Sequence, residues 1–300
     1  MSKNFRILLI TVAVLALAGA ITAVRGQQPM TGTWTASVKD DSNKIHLTFE
    51  LRTDGRHGRN QSGESYEYSQ LQGLSSEQAR AGGAVKFSLV REAGRIDCEG
   101  SFQNGKGSGT FTFTGNQSFV AAMKSRGFDF EKHVGLNHPE DLEERLFAAT
   151  TLNVTTALAD DLQASGFSNL GVDDLFKAAI FKIDSQFMRE MKATGFNLGM
   201  EDLVKARIFK IDPSFVAKAT EMGFANESFD SLVKMQIFKV TPEFVAEVRN
   251  EGLNNLSVED VVKLRIFKID RDFIRQSKAD GVPVEVERLV QRRLGVDRIH

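Results

Sequence analysis

The sequence predicts a segregated α+β protein: a small antiparallel β meander, barrel-like or a half-open sandwich, followed by an α-solenoid of short helix pairs. Three observations carry this. Apolar residues alternate with period two from about Thr31 to Thr114, and after Asn116 the period changes to 3.6. Within the second region the tripeptide Ile-Phe-Lys recurs at Ile180, Ile208, Ile237 and Ile266, at spacings of 28, 29 and 29 residues. Half-dry, half-wet strands give the first pattern, amphipathic helices the second, and a tandem array the third. The predicted division is therefore an export segment over 1–26, a β domain over 27–115 and a helical-repeat domain over 116–300, the last with about six units and a ten-residue insertion near 129–140.

Composition agrees with two folded domains. Of 300 residues 41% are hydrophobic and 26% charged, with only 5 prolines, which excludes a largely disordered chain. Lys+Arg (38) and Asp+Glu (39) nearly balance, so the electrostatic footprint of a nucleic-acid binder is missing. A single cysteine, Cys98, cannot close an intrachain disulfide or build a multi-thiolate metal site.

At the amino terminus Lys3 and Arg6 precede an apolar run from Ile7 to about Ala20, with small residues through Ala23 and the next charge at Arg25. A positive start, a short apolar core and small residues at the exit are what a signal peptidase recognises, so the mature protein is expected in the periplasm or secreted. Left uncleaved, the segment is just long enough to anchor the chain in a membrane. Ala20 occupies the position where a lipoprotein signal needs cysteine, which removes lipid anchoring by that route.

In the β region Ile45, Leu47, Phe49 and Leu51 share one face, as do Val85, Phe87 and Leu89, then Ile96, Cys98 and Phe102, and then Phe111 and Phe113. Turn signals at Asp40–Asn43, Ala93-Gly94 and Asn104–Gly107 separate them, giving about six strands and a short helix at Ser75–Ala81. Gly32-Thr33-Trp34 resembles the Gly-x-Trp opening of lipocalin-like barrels. That resemblance implies a ligand pocket closed by Trp34, although a tryptophan filling the core explains the same residues.

In the helical region six anchors begin a helix: Phe119, Leu158, Phe187, Phe215, Phe244 and Phe273. Three residues before each stands an N-cap (Asn116, Thr155, Asp184, Asp212, Thr241, Asp270), and eight after each stands glycine (Gly127, Gly166, Gly195, Gly223, Gly252, Gly281). Cap oxygens satisfy the free N–H groups of the first turn, and glycine takes the left-handed stop. Pro213 and Pro242 fall where the first helical residue needs no N–H. A second helix, beginning near Leu175, Leu203, Leu232 and Val261, runs into Ile-Phe-Lys with apolar residues on two sides, so both the isoleucines and Phe181, Phe209, Phe238 and Phe267 are expected between neighbours, the phenylalanines as stacking residues. The array is expected to end in a polar capping helix over Val286–Leu294.

Charges repeat as well. Asp173→Lys177, Glu201→Lys205, Asp230→Lys234 and Glu259→Lys263 have the favourable acid-to-lysine order for pairs within a helix. Lys182, Lys210, Lys239 and Lys268 have no acid at regular spacing; a cation at a helix end offsets the dipole there, and a row of four could grip an acidic peptide or glycan. The insertion contains His133 and His138, whose five-residue separation in a loop suits a metal poorly. No zinc-protease, phosphate-loop, serine-hydrolase or paired-cysteine motif is present, and Cys98 lies on an inward strand position between Asp97 and Glu99, a setting that does not activate a thiol.

The strand region ending in Gly107-Ser108-Gly109-Thr110-Phe111-Thr112-Phe113, followed by units such as Val240-Thr241-Pro242-Glu243-Phe244-Val245 and Asp260-Val261-Val262-Lys263-Leu264-Arg265-Ile266, resembles the extracytoplasmic repeats fused to bacterial membrane metallopeptidases of the beta-lactam-sensor type. The likeness covers most of the chain after the export segment and rests on repeat consensus; the peptidase's zinc helix and membrane spans have no counterpart in this sequence. It implies a place outside the cytoplasmic membrane and a sensing or interaction role, and it supplies no functional residue. The expected protein is thus a non-enzymatic interaction module with a protein partner in the cell envelope, no cofactor, no metal and no nucleic acid. The alternative is a small-ligand carrier built on the β domain at Trp34.

Overall fold

The computed structural model describes residues 30–38, 43–51, 61–132, 142–167 and 170–296. The expected export segment, the turn at Asp40–Asn43 (apart from Asn43) and the histidines of the insertion lie outside the described residues. The chain is α+β and segregated, an antiparallel half-barrel sheet followed by a series of short helices.

Seven strands form one sheet in the order β3-β2-β1-β7-β6-β5-β4: β1 (Met30–Val38), β2 (Lys44–Leu51), β3 (Gln61–Glu67), β4 (Leu71–Gln72), β5 (Gly83–Arg91), β6 (Gly94–Gln103) and β7 (Lys106–Gly115). The alternation in sequence becomes the two faces of the sheet: Ile45, Leu47, Phe49, Phe87, Leu89, Ile96, Phe111 and Phe113 are all buried. The seventh strand is the two-residue β4, too short to leave a period-two signature. Helix α1 (Ser76–Ala81) sits where the sequence places it, with Ser75 Oγ accepting from the Gln78 backbone N–H and Gln78 Oε1 accepting in return from the Ser75 N–H.

Trp34 lies over a pair of glycines. Gly100 on β6 and Gly109 on β7 stand directly opposite each other, and Gly109 also pairs with Trp34 on β1. A Cβ on Gly100 would come within 2.7 Å of the indole, and one on Gly109 within 2.0 Å of the Glu99 carbonyl oxygen. The missing side chains let three strands close around the ring.

The open side of the half-barrel is filled from the helical region. In α3 (Leu142–Thr151) the Phe147 ring stacks on Phe111 at 5.4 Å between centroids and meets Phe113 and Phe49 edge-on at 5.4 and 6.3 Å. Tyr66 donates its hydroxyl to the Thr151 carbonyl at 3.3 Å, and the Glu92 carboxylate accepts the Thr156 backbone N–H at 2.8 Å. The sheet and the first helices therefore share one core.

Beyond α2 (Gln117–Ser125) and α3 the chain continues as α4 (Thr156–Ala164), α5 (Val172–Phe181), α6 (Ser185–Lys192), α7 (Met200–Phe209), α8 (Pro213–Glu221), α9 (Phe229–Ile237), α10 (Pro242–Asn250), α11 (Val258–Ile266), α12 (Arg271–Ala279) and α13 (Val286–Arg293). The helices alternate between two layers: α5, α7, α9, α11 and α13 stack in succession, and α4 packs on α6 and α10 on α12 in the other layer. All six expected N-caps accept a backbone N–H of their helix's first turn. All six glycine stops have φ between +78° and +110°, a region that costs glycine nothing. The second helices start three residues earlier than their apolar pattern suggests. Gly171 and Gly199 hold the cap position without a side chain, and the acid three residues on (Asp174, Asp202) accepts the cap's own N–H at 2.8 and 3.1 Å.

A candidate docking edge on the helical array

Each second helix ends in the same way. Lys182, Lys210, Lys239 and Lys268 adopt the left-handed conformation, with φ of 55°, 56°, 52° and 51°. The next residue, Ile183, Ile211, Val240 or Ile269, is buried and returns its N–H to a carbonyl five residues back, at 2.8–2.9 Å. This is a left-handed helix stop with its hydrophobic contact. The unit formed by α3 and α4 has the same stop, with Asn153 at φ 57° and Val154 behind it. Asparagine tolerates that conformation; lysine pays roughly 1–2 kcal/mol for it. The four lysines stand at helix ends, where a cation offsets the dipole, and their left-handed backbone is an additional role that glycine would fill with less strain.

The lysine side chains are exposed and run along one edge of the stack. Lys182 reaches back to the β domain, its Nζ 3.4 Å from Glu64 on β3. Lys210, Lys239 and Lys268 have no ion pair among the described residues. Phe181, Phe209, Phe238 and Phe267, expected as stacking residues, are partly buried against the core.

The units are joined by a polar device absent from the sequence reading. The residues just before Ile208, Ile237, Ile266 and Leu294 send their side chains to the stop of the preceding unit: Arg207 donates to the Lys182 carbonyl at 2.6 Å, Gln236 to Phe209 and Lys210 at 3.0 and 3.2 Å, Arg265 to Phe238 at 3.0 Å, and Arg293 to Phe267 at 2.9 Å and also to Lys268. The three arginines also lie over the anchor rings Phe187, Phe244 and Phe273, at 3.7, 4.9 and 3.9 Å. Helix-end carbonyls at each of these stops thus find a donor in the neighbouring unit, and the ammonium groups of Lys210, Lys239 and Lys268 take no part in it. Only the recurrence of Arg, Gln, Arg before isoleucine, at positions 207, 236 and 265, could have signalled it.

Two sequence expectations are corrected. The expected four-residue acid–lysine pairs give way to pairs between units, Lys177 to Glu201, Lys205 to Asp230 at 3.0 Å, Lys234 to Glu259 at 2.6 Å and Lys263 to Glu287, with Lys177 and Lys205 also meeting Asp174 and Asp202 of their own helices at 3.7 and 3.3 Å. Hydrogen bonding to these next-unit carboxylates, more than any charge within the same helix, raises the pKa of all four lysines. The isoleucines, expected between neighbours, are about half exposed instead. They fall in the last turn, where the chain is about to leave the helix and no following residue covers them.

Trp34 is 1% exposed. Phe87 meets it edge-on at 5.1 Å and Phe102 lies at 5.7 Å, while its indole N–H donates to the Glu99 carbonyl at 3.2 Å. These side chains pack directly against the indole ring. Burial, helped by the Asp97 charge, pushes the Cys98 thiol far above its ordinary range, which leaves it an inert core residue. No group of His, Cys, Asp and Glu among the described residues is arranged to hold a metal ion, and no helix among them is long and apolar enough to cross a membrane. No family model, curated protein or solved structure matches the chain.

Proposed function

We propose that the protein is an exported, non-catalytic interaction module of the cell envelope, which docks a protein partner on the edge of its helical array marked by Lys182, Lys210, Lys239 and Lys268. The observation that carries this reading is the left-handed backbone of four consecutive lysines. Strained backbone held at the same place in unit after unit marks a position where the side chain matters more than the fold's convenience. The three lysines without an ion pair among the described residues supply that side chain. The signal-like amino terminus and the resemblance to extracytoplasmic repeats support the location.

Photo-crosslinking in intact cells tests the reading. A crosslinking residue at exposed Ser214, in the first turn after the Lys210 stop, is expected to give a discrete protein adduct. The same group at exposed Thr35 on the sheet is expected to give none. Combining the Ser214 probe with K210E, K239E and K268E should remove the adduct. Equal adducts from Ser214 and Thr35, or an adduct indifferent to the three lysines, would overturn the proposal.

A further inference from the structure

Among the described residues seven large hydrophobic side chains are exposed, and five of them form a single row. Ile180, Ile208, Ile237 and Ile266 are 52%, 52%, 46% and 49% exposed, and Leu294, the residue that follows α13, is 57% exposed. The row begins where the sheet ends, because the corresponding residue of the α3 unit is Thr151, 2% exposed beneath Tyr66. Stacked helices lie about 8–10 Å apart, so the row is one side chain wide and on the order of 40 Å long. Scattered exposed apolar residues need no explanation, but a contiguous apolar row on a soluble surface does.

The flanks of the row say what it fits. Three residues before each isoleucine is a lysine already neutralised by the next unit's acid: Lys177, Lys205, Lys234 and Lys263. Two residues after comes the stop lysine, with an uncommitted ammonium at Lys210, Lys239 and Lys268. An occupant must therefore supply apolar side chains at the spacing of the row and carboxylates along one side of it. A second copy of the chain would bring lysine to lysine, and three uncommitted lysines are fewer than the roughly four to eight basic residues that hold a protein to an anionic lipid surface. A partner helix presents an apolar stripe at least about 100° wide, broader than one side chain. An extended segment with three residues per turn advances about 9.3 Å per turn, places one side chain in three on the row, and leaves the intervening positions free to carry acid.

The geometry points to an acidic, extended segment of the partner protein, with an apolar residue at every third position, lying along the isoleucine row with its carboxylates on Lys210, Lys239 and Lys268. This inference rests on the docking reading above and assigns its chemistry.

Fluorescence anisotropy on the full mature chain tests it, using a labelled peptide of about twelve residues, four turns of such a segment, with Leu at every third position and Glu and Pro between. The wild type is expected to bind this peptide, and to bind at least about tenfold more weakly both a peptide with Lys in place of Glu and one of the same composition with the leucines adjacent. The exposed-site variant I208T/I237T/I266T, with its circular dichroism melt checked against the wild type, should lose at least about tenfold in affinity. K210Q/K239Q/K268Q should do the same and flatten the salt dependence. Equal binding of all three peptides, or binding untouched by the isoleucine variant, would overturn the inference. So would loss of a wild-type dimer in sedimentation, or of adsorption to anionic vesicles, as the only effect of that variant. If Ser214 crosslinks a partner and the peptide nevertheless fails, only the chemistry assigned here falls; if Ser214 crosslinks nothing, the docking reading itself falls.

Discussion

Replacing Phe147 with alanine is expected to destabilise the protein by about 3–5 kcal/mol, the range for emptying a buried phenylalanine site. The ring belongs to α3, but its three aromatic neighbours, Phe49, Phe111 and Phe113, belong to the sheet. It cannot be replaced from within the half-barrel, because all seven strands among the described residues lie in the one sheet and none faces it across the gap. Calorimetry of the wild type should give one transition for sheet and array together. F147A should give two, with the sheet melting first and the array, which retains its own stacked units, melting later. A loss below about 1 kcal/mol with a single transition would mean that the half-barrel holds itself together without the helix.

Gly109→Ala should act on the same face of the sheet, at the end beneath Trp34. The added Cβ would lie 2.0 Å from the Glu99 carbonyl oxygen and 2.7 Å from the Gly100 Cα, both backbone atoms of the paired strand, so no side chain can swing aside to admit it. β6 and β7 must separate, and they do so beneath Trp34. The penalty is expected at or above the upper end of the roughly 1–3 kcal/mol range for overpacking. Trp34 is the chain's single tryptophan, which makes it a clean reporter. In the variant its emission should move to the red as the strands part, and the urea midpoint should fall. An unchanged midpoint and an unchanged emission maximum would contradict the packing described.

Much of this architecture can be read from residue order. The strand faces follow from alternation at Ile45 to Leu51 and at Phe111 to Phe113, and the first helix of each unit follows from its cap and its glycine, because both ends are set by local chemistry. What the sequence conceals are features decided between units. With a repeat of 28 or 29 residues, the acid that precedes Lys177 in its own helix and the acid in the next unit are chemically alike, so the sequence cannot tell Asp173 from Glu201 as partner. The isoleucines satisfy a helical apolar pattern and still emerge half exposed, since the pattern does not reveal that the last turn has no neighbour above it. The second helices all start a turn before the apolar residue that marks them, whether their cap is a glycine without a side chain, as in α5 and α7, or a serine, as in α9 and α11, because the first turn adds little to the helical apolar period. Lysine is not a residue from which a left-handed stop is expected, and Asn153 alone hints that the position requires one. The arginine and glutamine staples at 207, 236, 265 and 293 hold the units together through backbone carbonyls, so the recurring donors show in the sequence but their acceptors do not.

The left-handed lysines allow the most direct test of the docking edge. In the variant K210G/K239G/K268G each stop receives the residue that its backbone favours, and stability should rise by up to about 1 kcal/mol per site, partly offset by the greater freedom of glycine in the unfolded chain. Thermal midpoint and in-cell crosslinking from Ser214 are then read on the same protein. The account predicts a higher midpoint together with loss of the adduct. A more stable variant that still crosslinks its partner as the wild type does would show the lysines to be helix stops and nothing more.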